Sequence, residues 1–200
     1  MTEVSAASMR ARERIRHAAL LEFQRRGFVA TTMDHIRVAA ELSRGGLYYQ
    51  YGSTEEILFD LLAQERAKDA GHAGAGERDG EGAGGVAGAD PFEAGFADFL
   101  EEQRTSLTDI DTTLRPVAYE FLLGLEPARR REIMRAQFRD AEAAVATLLP
   151  HTGDDAARNA LARHIVRRLE GLSLAAMAGA LDDNDLTAEL DALRLLAAKS

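Results

Sequence analysis

Cysteine is absent from the chain. That excludes a disulfide framework, a thiolate metal site and a thiol nucleophile, and it agrees with a reducing cytoplasm. Tryptophan is absent too, aromatics make up 6% of the residues, and there are four prolines. No run of 18 or more apolar residues occurs, so no segment reads as a transmembrane helix. The opening MTEVSAASMRARER lacks an apolar segment and does not read as a signal peptide. The five histidines are scattered, none at i, i+4 from another, which argues against a metal site. There is no G-x-S-x-G elbow and no G-x-x-x-x-G-K-[ST] loop, so neither an enzyme nor a cofactor has a motif behind it. What is plentiful is alanine, leucine, arginine and glutamate, the composition of an all-α protein.

Charge is uneven. The net value is −9, which by itself argues against a general nucleic-acid binder. Residues 1–52, however, hold eight arginines against five carboxylates (+3), and the remainder holds 16 basic against 28 acidic residues (−12). A mildly basic head on an acidic body suits a protein that touches DNA with one end. Asymmetry of this size also arises by chance among surface charges.

The most informative stretch is Thr31–Tyr51, TTMDHIRVAAELSRGGLYYQY. Thr31 or Thr32 can cap a helix, with Thr31-x-x-Asp34 approximating a capping box. Met33, Ile36 and Ala40 fall on one helical face, and Glu41-Leu42 breaks the pattern. Ser43 can cap a second helix over Arg44–Tyr51, with Leu47 and Tyr51 packing back on the first. Two glycines, Gly45 and Gly46, near a helix start cost roughly 1 kcal/mol each against alanine. A chain carries them where another backbone must come very close, or where no side chain fits; a DNA sugar–phosphate strand is one such neighbour. Tyr48 and Tyr49 are adjacent and cannot both face inward, so at least one meets solvent or a partner.

From Met9 to Leu62 the chain resembles the N-terminal domain of the tetracycline-repressor (TetR) family. The resemblance rests on Ile15, Ala18-Ala19, Phe23, Gly27-Phe28, Thr31-Thr32, Ile36, Ala40, Ser43, Gly45, Leu47-Tyr48, Tyr51, Ser53 and Glu55. It departs from the family pattern at Arg37 (commonly alanine), Glu41 (the turn glycine), Gln50 (frequently histidine) and Thr54 (a phosphate-contacting lysine). The resemblance implies a helix-turn-helix domain over residues 1–53. There Thr32, Ser43, Tyr48 and Thr54 anchor phosphates, Arg44, Tyr49 and Gln50 read bases, and Gly45 and Gly46 admit the strand.

The rest of the chain reads as helices. Ser8 can cap a first helix to about Arg26, with Gly27 beyond its end. Arg10, Arg12, Arg14 and Arg16 lie in its first half; some could approach phosphates, and solvated faces are expected for most of them. Ser53-x-x-Glu56 caps Thr54–Asp69. Gly71–Ala89 holds 8 of the 17 glycines and is expected to be a flexible loop. Asp90 then caps Pro91–Ser106. Helices follow over Asp111–Gly124, with Pro116 bending it, and from Glu126 to about Leu149, where the Arg129–Arg131 run reads as solvated surface. Asp154–Ala180 is apolar on two faces and Leu186–Ala198 on one. Two such helices from each of two subunits would make a four-helix bundle, so residues 154–198 are expected to hold a homodimer, with Leu172 at its interface.

Residues 54–200 would thus form a helical ligand-binding and dimerisation domain. The resemblance implies a small-molecule effector in it, with Phe96, Phe99, Gln103, Tyr119, Phe138, His164 and Met177 lining the site and Asn159 and Arg168 as further polar candidates. The whole reads as a cytoplasmic, homodimeric repressor released from a palindromic double-stranded DNA operator by a small molecule, without metal, cofactor or membrane. The alternative is a helical small-molecule or protein-binding module without sequence-specific DNA recognition, a reading that Glu41 and Thr54 favour.

Overall fold

The computed structural model describes residues 2–73, 91–150 and 154–198. Among these the chain is all-helical: α1 (Thr2–Arg26), α2 (Met33–Ala39), α3 (Arg44–Gln50), α4 (Thr54–Ala73), α5 (Pro91–Thr108), a 3-10 turn (Ile110–Thr112), α6 (Arg115–Gly124), α7 (Pro127–Thr147), α8 (Asp155–Met177) and α9 (Asp183–Ala197). They form two compact units. The first is Met1–Ala70 with Asp111–Leu125, the second Gly71–Ile110 with Glu126–Ser200. The chain therefore passes between units at 70/71, 110/111 and 125/126, whereas the sequence placed its single boundary at 53/54.

In the first unit α1 buries Ile15, Ala18, Ala19 and Phe23, a stripe at helical spacing. Against it lie α2 and α3, which contribute Ile36, Ala40 and Leu47, and Ile57, Leu58 and Leu61 of α4 are buried as well. The 15-residue return from Asp111 adds α6. Phe121 meets Phe28 edge-on with centroids 4.9 Å apart and Phe59 at 5.5 Å. From the preceding residue of α6, the Glu120 carboxylate accepts from Phe28 N (2.6 Å) and Val29 N (3.2 Å), capping the chain just past α1. Gly27 is required there twice over: its φ is +78°, and a Cβ would run into Glu120.

The second unit packs α8 against α5, α7 and α9. Its core draws Phe96, Leu100 and Leu107 from α5, Val145 from α7, Ile165, Leu169 and Leu172 from α8, and Leu186, Leu190 and Leu193 from α9. Asp154 and Asp182 cap α8 and α9.

Several local expectations change. The capping box sits one residue later, on Thr32 and His35, because Thr31 is buried with its hydroxyl donating to Glu22 O and Gly27 O. Ser8 lies inside α1, not at its start. Pro116 opens α6 where it needs no N–H partner, and so bends nothing. α9 starts at Asp183, earlier than its apolar pattern suggests, because Asp182 accepts from Asn184 N and Asp185 N. α4 continues through Ala73, into the glycine-rich stretch. The remainder of that stretch and the Asp90 cap lie outside the described residues. Among the described residues no helix is long and apolar enough to cross a membrane.

Candidate nucleic-acid interface

The geometry of α2, the turn and α3 starts from backbone capping. α2 ends in a Schellman-type closure, with Glu41 N bonding Val38 O and Leu42 N bonding Arg37 O, both at 3.1 Å. That closure puts Glu41 at φ +52°, a left-handed conformation usually given to glycine. Two arginines collect the carbonyls thus turned outward. Arg14 of α1 donates to Ala40 O and Glu41 O, and Arg37 to Leu42 O (3.3 Å) while pairing with Asp34 (2.7 Å). Arg37, one of the departures from the family pattern, thereby braces the turn.

α3 begins at Ser43, whose Oγ accepts from Gly46 N at 3.1 Å. It is anchored by Leu47 on its inner side and by Tyr51 at its end, both buried. Tyr51 belongs to a polar knot sequence reasoning missed. Its hydroxyl donates to Asp60 of α4. Arg12 Nε donates to Tyr51 Oη (3.0 Å) and to Asp60 (3.2 Å), and Arg16 Nε donates to Asp60 (2.8 Å). Burial raises the Asp60 carboxyl, but the hydrogen bonds from Tyr51, Arg16 and Arg12 outweigh it and hold it below the usual carboxylate range. Burial, then the bond to Asp60, push the Tyr51 hydroxyl up. Arg12, Arg14 and Arg16 are thus engaged within the unit, whereas the sequence leads one to expect a solvated face for most of the four; Arg10 is exposed.

The outer face of α3 carries Arg44, Tyr48 and Tyr49. Tyr48 is 47% and Tyr49 79% exposed, and the Arg44 guanidinium lies 5.7 Å from the Tyr48 ring centroid. Gly45 has no atom within 4 Å of where a Cβ would stand, so the fold leaves room there for a side chain. At Gly46 a Cβ would press on Ser43 Oγ at 3.2 Å, which gives that glycine an internal reason. Gln50 is half-buried, its amide donating to Ser8 Oγ at 2.8 Å, which occupies one of its two N–H donors. Thr32 is exposed at the start of α2 and Thr54 half-buried at the start of α4. Ser53 caps α4 by accepting from Glu56 N (3.1 Å), and Glu56 accepts from Gly52 N (2.7 Å).

The residues named for an effector do not gather in one place. Phe96 is a core residue, with Phe99, Phe138 and Met177 packed partly buried against that core. Phe96 and Phe99 lie 5.9 Å apart, and Gln103 is half-buried on α5. Tyr119 belongs to the first unit, on α6. His164 is exposed: the inward stripe of α8 runs Ala162, Ile165, Val166 and Leu169, and residue 164 falls outside it. Asn159 is exposed as well, and Arg168 is exposed and paired with Glu189. Leu172 is likewise corrected, being 6% exposed within the subunit's own core. The outward apolar line of α8 is Gly171, Leu174 and Ala178, and that of α9 Ala188, Ala192 and Leu195. Among the described residues no three His, Asp or Glu side chains are grouped to hold a metal ion.

Comparison with known proteins places these features. Residues 15–61 match the family described as bacterial regulatory proteins, tetR family. The uncharacterized HTH-type transcriptional regulator YfiR of Bacillus subtilis (strain 168) is 30% identical over 116 residues, 54% of this chain and 48% of that protein. The chain thus spans about half the length of the curated relative it matches. Among solved structures, SmeT of Stenotrophomonas maltophilia in complex with triclosan superimposes with a TM-score of 0.66 at 22% identity, covering 92% of this chain and 89% of that one. A TetR-like transcriptional regulator from Rhodococcus sp. RHA1 gives a TM-score of 0.61 at 18% identity, with 94% of each chain covered. At these identities the structures share the fold.

Proposed function

We propose, from the match of residues 15–61 to the tetR family of bacterial regulatory proteins and from a fold shared with a TetR-like regulator, that this chain is a homodimeric, ligand-responsive, DNA-binding transcriptional regulator, a repressor that a small molecule releases from its operator. One observation carries the reading. α3 turns Arg44, Tyr48 and Tyr49 outward beside a glycine, Gly45, that the fold itself does not need. A helix whose outer face is cationic and aromatic, with one position stripped of its Cβ, suits a major groove flanked by a sugar–phosphate strand.

In this reading Arg44 donates to guanine and Tyr49 and Gln50 contact neighbouring bases. Gln50 does so with its carbonyl oxygen and the N–H not bonded to Ser8. Thr32, Ser43, Tyr48 and Thr54 hold phosphates. Two copies related by a two-fold axis, joined through the outward apolar lines of α8 and α9, require a nearly palindromic operator with half-sites at multiples of ~34 Å. SmeT is described as the repressor of a multidrug efflux pump and was solved with triclosan. By that likeness the effector here is a small organic molecule, placed among α5, α7 and α8 near Phe99 and Met177. It must bind the DNA-free spacing better than the bound one, and such coupling is typically ~1–3 kcal/mol. Work on DNA puts the protein in the cytoplasm.

Gel-shift titration with the DNA upstream of the protein's own gene tests this. Tyr49→Ala and Gln50→Ala should each weaken binding about tenfold. Unchanged affinity in a folded dimer would remove α3 from the interface. The bond from Gln50 to Ser8 favours a second reading, a helical binding module without sequence-specific recognition. Equal affinity for the upstream DNA and random DNA at every salt concentration would select it.

A further inference from the structure

We infer that the groove between α7 and α8 is a binding site for a small aromatic anion, a phosphate or carboxylate carried on a planar ring. The inference does not depend on the DNA-binding reading. The groove is open, about 580 Å³, and is lined by Arg131, Arg135, Phe138, Arg139, Glu142 and Arg167 among others. That lies within the range of small-molecule sites, roughly 300–1,000 Å³.

Its chemistry follows from helical spacing. Arg131, Arg135 and Arg139 recur every four residues, so each guanidinium stem is ~6 Å further along α7. Among the described residues none of these three has a hydrogen bond or an ion pair. Like charges at i, i+4 destabilise a helix. Three unpaired arginines in one row of a chain with net charge −9 therefore oppose local stability and gain no partner among the described residues. An anion lying along the row supplies the partner, with geometry suited to bidentate bonds.

The ring site lies where Phe138 of α7 meets Arg167 of α8. The Arg167 guanidinium stands 5.7 Å from the Phe138 ring centroid. Glu142 holds it there from 3.7 Å and lies at the same distance from Arg163. Phe138 is half-buried, backed by the core of the second unit. A flat aromatic body can stack on that ring and guanidinium while its charged group reaches Arg135 and Arg139. Arg135 and Arg139 are exposed, so exchanging them leaves the core intact.

Isothermal titration of the full chain with phenyl phosphate and with benzoate tests the site; inorganic phosphate supplies charge without ring and phenol supplies ring without charge. At least one aryl anion should bind saturably, about tenfold or more tighter than either fragment, and the stronger of the two identifies the anionic group. Arg135→Gln and Arg139→Gln should each weaken it about tenfold without lowering the melting temperature. Arginine Nε resonances of the unaltered protein should shift for the same two residues. No saturable binding, equal affinity in the glutamine variants, or binding of phenol as tight as of phenyl phosphate would each overturn the inference.

Discussion

Replacing Gly45 with alanine should stabilise the protein and weaken its hold on DNA, two effects of opposite sign from one methyl group. Within the fold the change is favourable. Gly45 is the second residue of α3, helical, and a Cβ there meets nothing within 4 Å. Alanine restricts the unfolded chain and favours the helix, a gain of up to about 1 kcal/mol in a helix interior and about 0.5 kcal/mol in the first turn. For a 200-residue chain that raises the melting temperature by about 1–2 °C.

Against DNA the change is unfavourable if a strand packs on that backbone. Forcing a methyl into a filled contact costs about 1–3 kcal/mol, which is roughly a five- to 150-fold loss in affinity. Thermal denaturation followed by circular dichroism gives the first quantity. Fluorescence anisotropy with a labelled operator at fixed salt gives the second. A stabilised variant with unimpaired DNA binding would show that nothing approaches Gly45 and would refute the argument for α3 as the reading helix. A destabilised variant would show that the backbone there is not the helical one described.

Glu41→Gly should stabilise the first unit by about 1 kcal/mol, since Glu41 holds a left-handed φ of +52° and Arg14 grips its backbone carbonyl, which glycine keeps; denaturant titration checks it. Asp60→Asn should cost about 1 kcal/mol at neutral pH by leaving Arg12 and Arg16 without their shared carboxylate. Because the folded Asp60 carboxyl lies below its unfolded value, its contribution is complete above about pH 4 and is lost as pH falls through the folded value. Stability of the asparagine variant, followed by denaturant titration from pH 6 to 2, should therefore fall less steeply below pH 4 than that of the unaltered chain. Leu174→Glu should give monomer in sedimentation, whereas Leu172→Glu should unfold the second unit; a persistent Leu174→Glu dimer places the interface elsewhere.

Much of the architecture was legible because it is local. Ser43, Ser53, Asp154 and Asp182 cap helices through bonds two or three residues long, and Pro91, Pro116 and Pro127 stand within the first two positions of theirs. Contacts that span the chain left no such trace. Arg12 finds Asp60 across 48 residues and Glu120 finds Phe28 across 92, and neither pair has a periodicity to betray it. The same limit explains Leu172. A helix apolar on two stripes announces that both are covered, but spacing cannot say which turns toward its own subunit. In α8 the stripe with Leu172 went inward and the one with Leu174 stayed exposed at 54%. His164 was misplaced for the converse reason: a lone polar residue on an amphipathic helix carries no sign of the cavity it was assigned to.

Two residues of the head set stability and purpose against each other. At residue 41 the fold wants glycine and the chain supplies glutamate, whose strain is met by Arg14 and Arg37 gathering the turn's carbonyls. At residue 45 the fold would accept any small side chain and the chain supplies glycine. The first choice is tolerated because neighbours compensate it from within. The second has no compensation among the described residues, and the proposed DNA contact at the face that Arg44, Tyr48 and Tyr49 share would supply its cause. A head selected for stability alone would exchange the two residues, glycine at 41 and a side chain at 45. Making both exchanges together should give the most stable version of this domain and the one least able to bind its operator.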